Sequence, residues 1–433
     1  MYYLTKWLTR LVKKSLAAIS LLGVLNVNAQ EILNLNLDQA NAYARKNYPA
    51  IKKKDLLAQT ASLNIENLHK GFLPQFSLSG QATYQSDVTH INIPIPGIKI
   101  PSPGKDQYKV SAEVNQLIYD GGSIKQQNIL QQLNETTEQQ SVEVELYQLR
   151  DRVNQLYLGI LYLDAEKSQA ELIKQDIQIG IKKVEAQVQN GVSFKSNLNV
   201  LKAELLKAEQ RTIEIAYSRK GMIEILELFM NVNLANNVVL EKPVAFKNVS
   251  DTNITRPELT LYADRTKLLG QQNKLIKARN QPKASLFFQG NYGRPTFNFL
   301  SNSFDFFYIG GIRFNWPLGG FYTRKNDNQL VEINKRNVEI QKEIFLLNTN
   351  AQLKQQRSDI DKLDQLIASD KEIISLRESV KAAASAQLEN GVITANDYLR
   401  EVNAEDQAKQ TLITHQIRLL QAQINYETIS GKQ

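Results

Sequence analysis

The stretch Val188-Gln189-Asn190-Gly191-Val192 has a counterpart in Gln387-Leu388-Glu389-Asn390-Gly391-Val392, and the two Asn-Gly-Val cores lie 200 residues apart. Each core interrupts a long, polar, helix-prone sequence. Glycine is about 1 kcal/mol less favourable than alanine inside a helix and readily adopts a positive φ. Each core therefore predicts a helix end and the tip of a helical hairpin. Since about 200 residues is too long for a solenoid repeat, the spacing also predicts a tandem duplication.

Long helices lead into both tips. Apolar residues recur at alternating spacings of four and three before the first tip, and every seven residues before the second, which are coiled-coil patterns. They predict helices over about 123–189 and 323–389, with shorter helices returning from the tips, one over about 197–230 and a final one that reaches about 429. At 1.5 Å per residue, the longer helices would each reach about 100 Å. The patterned residues are Val142, Leu146, Leu149, Val153, Leu156, Ile160 and Leu163 in the first helix, and Leu346, Leu353, Ile360, Ile367 and Ile374 in the second.

Apolar and polar residues alternate in four other segments, which predict β-strands with one apolar face. The segments are 76–84, 108–119, 284–292 and 306–316. Strands of about nine to eleven residues are long enough to cross a bilayer when tilted. The first two strands flank a proline-rich segment, 86–106, which we interpret as an exposed hairpin loop; a ligand for a recognition domain is the alternative.

The N-terminal residues 1–29 have the features of a secretory signal peptide. Four basic residues precede an apolar core that is too short to span a bilayer, and Val27-Asn28-Ala29 resembles a cleavage site. The alternative is a retained membrane anchor. Removing this segment lowers the net charge from +8 to +4, so the basic pI does not indicate nucleic-acid binding.

Residue types and spacings predict neither an enzyme nor a cofactor or metal site. The chain has no cysteine, which excludes disulfides, thiol chemistry and a lipidated N-terminal cysteine. Its three histidines, His69, His90 and His415, are far apart and show no metal-ligand spacing. No Walker-type loop or nucleophile-elbow motif occurs, so the energy for any transport would have to come from a partner.

The pattern divides the mature chain into two repeats, 30–235 and 258–433, joined by a linker over 236–257. We expect the segment 231–257 to be irregular, because it contains Pro243 and Pro257. The predicted fold is mainly α, with a β portion that enters the membrane. Four strands cannot enclose a lumen, and open strand edges are not tolerated in lipid, so several copies must combine their strands.

The order of motifs resembles that of the TolC-like outer-membrane efflux proteins, the outer membrane factors of tripartite export systems. The resemblance rests on the repeated helix, hairpin, long helix and tip, and on three further motifs. These motifs are Leu35-Asn36-Leu37-Asp38-Gln39-Ala40, Asn47-Tyr48-Pro49 and Arg256-Pro257-Glu258-Leu259. Glu258 stands where the family usually carries aspartate.

The resemblance implies a homotrimer in the Gram-negative outer membrane, with a twelve-stranded barrel in lipid and a helical tunnel extending into the periplasm. It also implies that Gly191, Val192, Gly391 and Val392 dock on a periplasmic adaptor protein served by an inner-membrane pump. The positions that form an acidic constriction in the family are Asn197, Asp397 and Arg400 in this chain. Because only one of the three is acidic, a strongly acidic constriction is not expected here.

Two functions remain open from the sequence. The first is an export duct. The second is a secreted coiled-coil structural or adhesive protein of the cell envelope without a channel. The alternating strand pairs at matching places in both repeats favour the duct.

Overall fold

The structure is a computed structural model that describes residues 32–89, 102–244, 253–298 and 301–432. The signal peptide prediction, His90 and most of the proline-rich loop therefore lie outside the described residues. Helices dominate the described chain, which confirms the predicted mainly α fold. The helices are α1 (Leu37–Asn47), α2 (Lys52–Lys70), α3 (Ser123–Gln189), α4 (Lys195–Met230), α5 (Pro257–Arg279), α6 (Gly320–Glu389) and α7 (Ala395–Ser430). The strands are β1 (Ile32–Leu35), β2 (Gln75–Tyr84), β3 (Asp106–Tyr119), β4 (Leu234–Leu240), β5 (Lys283–Arg294) and β6 (Asp305–Asn315).

Sequence-encoded signals begin and end the first helix. Asn36 accepts a hydrogen bond from the backbone N–H of Gln39, and the Gln39 side chain accepts one from the N–H of Asn36, which forms a capping box. Helix α1 ends at Asn47 because Tyr48 precedes Pro49 and adopts an extended backbone. A 3-10 turn over Pro49–Ile51 then leads into α2.

Four strands form one antiparallel sheet in the order β2-β3-β5-β6. Its register aligns Leu78 with Ala112, Ala112 with Gly290, and Gly290 with Tyr308. Because side chains alternate along a strand, this register gathers the apolar positions of all four strands on one face. The central pair joins β3 of the first repeat to β5 of the second. Strands β2 and β6 are the two edges of the sheet.

A second, two-stranded sheet corrects the expectation that 231–257 is irregular. Strand β4 pairs in parallel with β1, and Leu35 is aligned with Leu240. The Tyr157 hydroxyl lies beside this pair and is 2.7 Å from the Leu35 carbonyl oxygen and 2.6 Å from that of Glu241. Leu35 and Tyr157 are fully buried, so β4 is held by a hydrophobic core formed far from it in sequence.

The chain divides into two compact units, each of which takes segments from both repeats. The first comprises Met1–Tyr48, Gln148–Asp251 and Lys354–Thr428, and the second comprises Pro49–Tyr147, Thr252–Leu353 and Ile429–Gln433. The four-stranded sheet belongs to the second unit, and the β1–β4 sheet and both tips belong to the first. In the described residues, no helix has a segment that is long and apolar enough to cross a membrane.

The motif Arg256-Pro257-Glu258-Leu259 organises the start of α5 in the second unit. Pro257 occupies the first turn, where its missing N–H has no helical partner to lose. The guanidinium of Arg256 pairs with the Glu258 carboxylate and lies 4.8 Å from the centre of the Tyr147 ring. The motif is therefore a helix start anchored by an ion pair and a cation–π contact.

Candidate functional site

Both predicted tips are helix ends of the same geometry. Gly191 has φ +73° and Gly391 has φ +71°. At the first tip, the N–H of Gly191 donates to the Val188 carbonyl oxygen at 3.1 Å, and the N–H of Val192 donates to that of Gln187 at 2.8 Å. This pair of hydrogen bonds is the Schellman motif, which requires a left-handed residue at the glycine position.

The second tip repeats the motif with equivalent residues. The N–H of Gly391 donates to the Leu388 carbonyl oxygen at 3.1 Å, and the N–H of Val392 donates to that of Gln387 at 2.9 Å. Both valines project outward, with 72% of Val192 and 71% of Val392 exposed. The structure therefore places the predicted docking residues at two similar, accessible tips.

Helix α3 contacts α6 immediately before the tips. The Nε2 of Gln187 donates to the carbonyl oxygens of Leu388 at 2.5 Å and Glu389 at 3.3 Å. The last carbonyl groups of a helix lack the usual intrahelical partners. This side chain therefore supplies a donor to the Glu389 carbonyl and a second donor to the Leu388 carbonyl, which also accepts the N–H of Gly391. The Nζ of Lys183 lies 2.8 Å from the Glu389 carboxylate. The two tips are thus coupled through the last turns of α3 and α6.

An apolar cluster lies behind the tips and packs α3, α4, α6 and α7 together. Leu198 and Leu201 contribute from α4, and Tyr398 and Val402 contribute from α7; Tyr398 is the counterpart of Leu198 in the second repeat. A Cβ at Gly180 of α3 would lie 2.8 Å from the Tyr398 ring, so Gly180 permits this close packing. The remaining buried members are Ile173, Ile177, Val184, Ala208, Ala384, Leu388, Ala395 and Leu399.

Asp397, the acidic residue predicted at the constriction, caps the helix that follows the second tip. Its Oδ2 accepts hydrogen bonds from the Thr394 hydroxyl at 2.7 Å and the Thr394 N–H at 3.1 Å. In return, the Asp397 N–H donates to the Thr394 hydroxyl oxygen at 3.3 Å. These bonds, the hydroxyl bond first, lower the pKa of the Asp397 carboxyl below its ordinary value. Thr394 and Asp397 thus form a reciprocal cap on α7.

The structure brings Arg400 to Asp397 but gives Asn197 a separate local role. The Nη1 of Arg400 lies 4.0 Å from Asp397, and its Nε lies 3.0 Å from Glu401. In the first repeat, the Nδ2 of Asn197 donates to the Ser193 hydroxyl at 3.1 Å. Each predicted constriction residue therefore lies in the first turn or two of the helix after its tip, and the only carboxylate among them is partly neutralised.

Phe194 is a residue that the sequence reasoning missed. It occupies the cap position of α4, has extended backbone angles and cannot cap through its side chain. It is also 80% exposed. The equivalent Thr394 forms the reciprocal cap described above. A cap residue is worth about 1 kcal/mol, so the first repeat has an exposed aromatic ring where a capping side chain would stabilise the helix. The signal in the sequence was the absence of Ser, Thr, Asp or Asn at this position.

A chain of ion pairs joins α3, α6 and α7 behind the apolar cluster. Lys381 lies 2.9 Å from Asp176 and 2.5 Å from Glu405, and Lys409 lies 2.6 Å from Glu405 and 2.9 Å from Glu378. Glu405 is only 3% exposed. Burial opposes ionisation of Glu405, but hydrogen bonds from Lys381 and Lys409 outweigh it and lower the pKa of Glu405. This carboxylate is therefore charged at neutral pH.

The acidic residues and histidines of the described ranges do not gather into a metal site. No group of three or more His, Asp or Glu in the described ranges could hold a metal ion. The imidazole of His415 lies 2.6 Å from Asp370, and that of His69 lies 3.0 Å from Asn128. These contacts join neighbouring helices and are structural.

The sequence was compared with protein families and with curated proteins. Residues 42–228 match the family model described as outer membrane efflux protein. The resemblance to the outer-membrane efflux proteins is confirmed. A comparison with curated protein sequences gave no match.

Solved outer-membrane channels share the fold of almost the whole chain. The outer membrane protein VceC of Vibrio cholerae is 14% identical, with a TM-score of 0.64, and the match covers 92% of this chain and 96% of VceC. The CmeC outer membrane channel of Campylobacter jejuni is 12% identical, with a TM-score of 0.62 and coverages of 91% and 85%. The open-state MtrE channel of Neisseria gonorrhoeae is 13% identical, with a TM-score of 0.62 and coverages of 92% and 89%. At these identities the likeness is one of fold, and with the efflux family match it supports an outer-membrane channel without enzymatic activity.

Proposed function

We propose that this protein is the outer-membrane duct of an export system and works as a homotrimer. The observation that carries this proposal is the four-stranded sheet, whose apolar face is exposed and whose two edges are open. An exposed apolar face of this size requires a partner or a lipid environment. In lipid, the unpaired backbone groups of β2 and β6 would be costly unless further strands paired with them.

Three copies satisfy both requirements. If β6 of one copy pairs with β2 of the next, three sheets close into one barrel of twelve strands, with the apolar residues facing lipid and the polar residues facing a lumen. The resemblance to the efflux family implies the same stoichiometry. On this proposal the protein sits in the outer membrane of a Gram-negative cell and extends into the periplasm, without lipidation, because it has no cysteine.

Exposed apolar residues on the helices support association between copies. On α6 they recur at helical spacing, and another row follows α4, so each helix has a second apolar face besides its buried one. Contact with neighbouring copies would bury these rows and form the wall of a tube. The exposed residues are Leu330, Ile333, Ile340, Ile344 and Leu347 on α6, and Ile213 and Tyr217 on α4.

The tips are the proposed docking surface for a periplasmic adaptor that works with an inner-membrane pump. Their support is geometric, since Gly191, Val192, Gly391 and Val392 lie at accessible Schellman turns that are coupled to one another. Asn197, Asp397 and Arg400 are the proposed constriction residues. Because Asp397 caps α7 and approaches Arg400, this constriction would carry little net negative charge.

Disulfide trapping between strand edges tests the trimer directly, since the chain has no native cysteine. Ser79 of β2 would be replaced by Cys and combined in turn with Cys at Phe307, Ile309 or Gly311 of β6. Within one copy, two strands separate β2 from β6, a gap of about 14 Å that no disulfide spans. A covalent trimer on non-reducing gels is expected for at least one pair. The single Ser79→Cys variant is the control, and uniform failure of every pair would favour the secreted coiled-coil protein.

Photo-crosslinking tests the docking. A photoreactive amino acid at position 192 or 392 should capture a periplasmic protein in intact cells, whereas the same probe at the buried Leu201 should not. Mass spectrometry of the captured product would identify the adaptor. Recovery of no periplasmic protein from either tip would contradict docking while leaving the trimer proposal intact.

A further inference from the structure

The two tips differ in a way that assigns them unequal parts in docking. Both expose a valine to nearly the same degree, but only the first tip exposes an aromatic ring, that of Phe194. The second tip has Thr394 at the equivalent position and uses it to cap its own helix. Phe194 therefore leaves the N-terminus of α4 without a side-chain cap.

The charge around the two tips also differs. Residues 182–202 carry a net charge of +3, whereas the equivalent residues 382–402 carry −2. The positive side chains of the first tip include Lys195, which is exposed and directly follows Phe194. The uncapped N-terminus of α4 adds the partial positive charge of the helix dipole. Negatively charged side chains on a partner would therefore favour its binding to the first tip.

A groove lies next to the first tip, between α3 and α4. It has a volume of about 530 Å³, with Ile181, Leu205 and Leu206 as apolar lining residues. Its polar lining residues are Gln178, Lys182, Glu185 and Lys202, so the lining has a net charge of +1, and the Nζ of Lys202 lies 4.0 Å from the Glu185 carboxylate. Lys202 lies eight residues, or about 12 Å along the helix, from Phe194. A groove with apolar and basic residues suits an amphipathic helix that carries acidic side chains.

From these observations we infer that the first tip is the principal contact of the adaptor, that Phe194 is its apolar anchor, and that the partner is an acidic amphipathic helix. The helix lies in the α3–α4 groove, takes the Phe194 ring into an apolar pocket and places a carboxylate at the uncapped N-terminus of α4. At the second tip, Thr394 and Asp397 already cap the helix that follows. This tip makes the weaker contact with the adaptor. This inference rests on the docking proposed above and names the chemistry of the partner.

Phe194→Thr is the central variant, because threonine restores the cap found at Thr394 and so removes the ring without weakening the helix. Its affinity for the adaptor captured at position 192 would be measured on the purified trimer by biolayer interferometry. Loss of a buried aromatic anchor should weaken binding by at least about tenfold, mainly through faster dissociation. The trimer mass and thermal midpoint of the variant should match or exceed those of the native protein.

Val192→Ser and Val392→Ser form a matched pair, since the two valines are equally exposed. The inference predicts a clear loss of affinity for Val192→Ser and less than about threefold for Val392→Ser. Lys202→Glu should slow association, and salt should weaken binding of the native protein, because an acidic partner is attracted electrostatically.

Each other outcome has a definite meaning. If the Phe194→Thr trimer binds the adaptor as tightly as the native protein does, the inference that Phe194 is the anchor is wrong. If Val392→Ser loses at least as much affinity as Phe194→Thr, the second tip is the principal contact. Both results would leave docking at the tips standing, whereas capture of no adaptor at either tip would overturn the docking itself.

Discussion

The side-chain amide of Gln187 donates a hydrogen bond of 2.5 Å to the backbone carbonyl oxygen of Leu388 and so ties the first tip to the second. The two residues are 201 positions apart and come from different repeats. The same Leu388 carbonyl accepts the N–H of Gly391 within its own tip. The conformation of one tip is therefore linked to that of the other through the Gln187 side chain, in addition to the ion pair of Lys183 with Glu389.

Gln187→Ala should loosen the second tip although the substitution lies in the first. Removing one hydrogen bond costs about 1 kcal/mol, so amide hydrogen exchange over residues 386–394 should become about fivefold faster. Gln387→Ala at the equivalent position is the control, because no side-chain hydrogen bond of Gln387 occurs within the described residues. Equal protection of 386–394 in the native protein and in Gln187→Ala would contradict the coupling.

Gly191→Ala should destabilise the first tip through its backbone alone. An added Cβ would meet no described atom within 4 Å, but φ is +73°, a conformation that costs a non-glycine residue about 1–2 kcal/mol. Hydrogen exchange over residues 186–194 should accelerate by about five- to thirtyfold. Gly221→Ala in the interior of α4 is the control. Its Cβ also meets open space, but alanine favours a helix, so this substitution should not destabilise the protein. Similar effects of the two substitutions would exclude the Schellman explanation.

Asp397→Ala should increase fraying at the start of α7 at neutral pH. The Asp397 pKa is lowered below its ordinary value of 3.8 by Thr394, so its stabilising effect is fully present above pH 3.8 and is lost as the pH falls further. Exchange of the first amides of α7, corrected for intrinsic rates, should rise on acidification in the native protein and change less in Asp397→Ala. A parallel pH response in both proteins would rule out the cap as the cause.

Glu405→Gln should destabilise the helical core, because it leaves Lys381 and Lys409 facing a neutral group. Breaking a fully buried ion pair costs about 3–5 kcal/mol, and partial exposure of the lysines reduces our expectation to about 2 kcal/mol. The lowered pKa of Glu405 means that its contribution is intact above its ordinary value of 4.5 and is lost below it. Urea unfolding at pH 7 and pH 4 should show a smaller pH effect in the variant.

Lys381→Met combined with Glu405→Gln is the informative double variant for this network. In Glu405→Gln, Lys381 and Lys409 both face a neutral side chain. The double variant removes Lys381, so it should recover part of the free energy of unfolding that Glu405→Gln loses. Strictly additive destabilisation would show that the two residues do not interact.

The long helices and the main sheet could be predicted because their signals are local. Alternation defines β2, β3, β5 and β6, and the heptad residues Val153 and Ile160 of α3 are fully buried as the pattern indicates. Helix α3 spans Ser123–Gln189, the range expected from the glycines on either side. Such periodicities are set by residues within a few turns of one another, so one sequence is enough to detect them.

Features that depend on distant partners could not be predicted. Strand β4 pairs with β1 about 200 residues away, and two of its seven residues are asparagine, so its local pattern is weak. The contact of Gln187 with α6 likewise depends on how the repeats pack. Phe194 has a different reason: it belongs neither to an Asn-Gly-Val core nor to a periodic pattern, so only the lack of a capping residue at its position marks it in the sequence.

Single-channel recording in a planar bilayer is the most direct test of the central claim, which is that copies of this chain form a duct across the outer membrane. The purified, detergent-extracted protein should give discrete conductance steps, and the disulfide-trapped trimer carrying Ser79→Cys and its β6 partner should give the same steps. Heat-denatured protein is the control. Bilayers that stay silent with a native trimer, together with release of the protein from membranes without detergent, would contradict the claim.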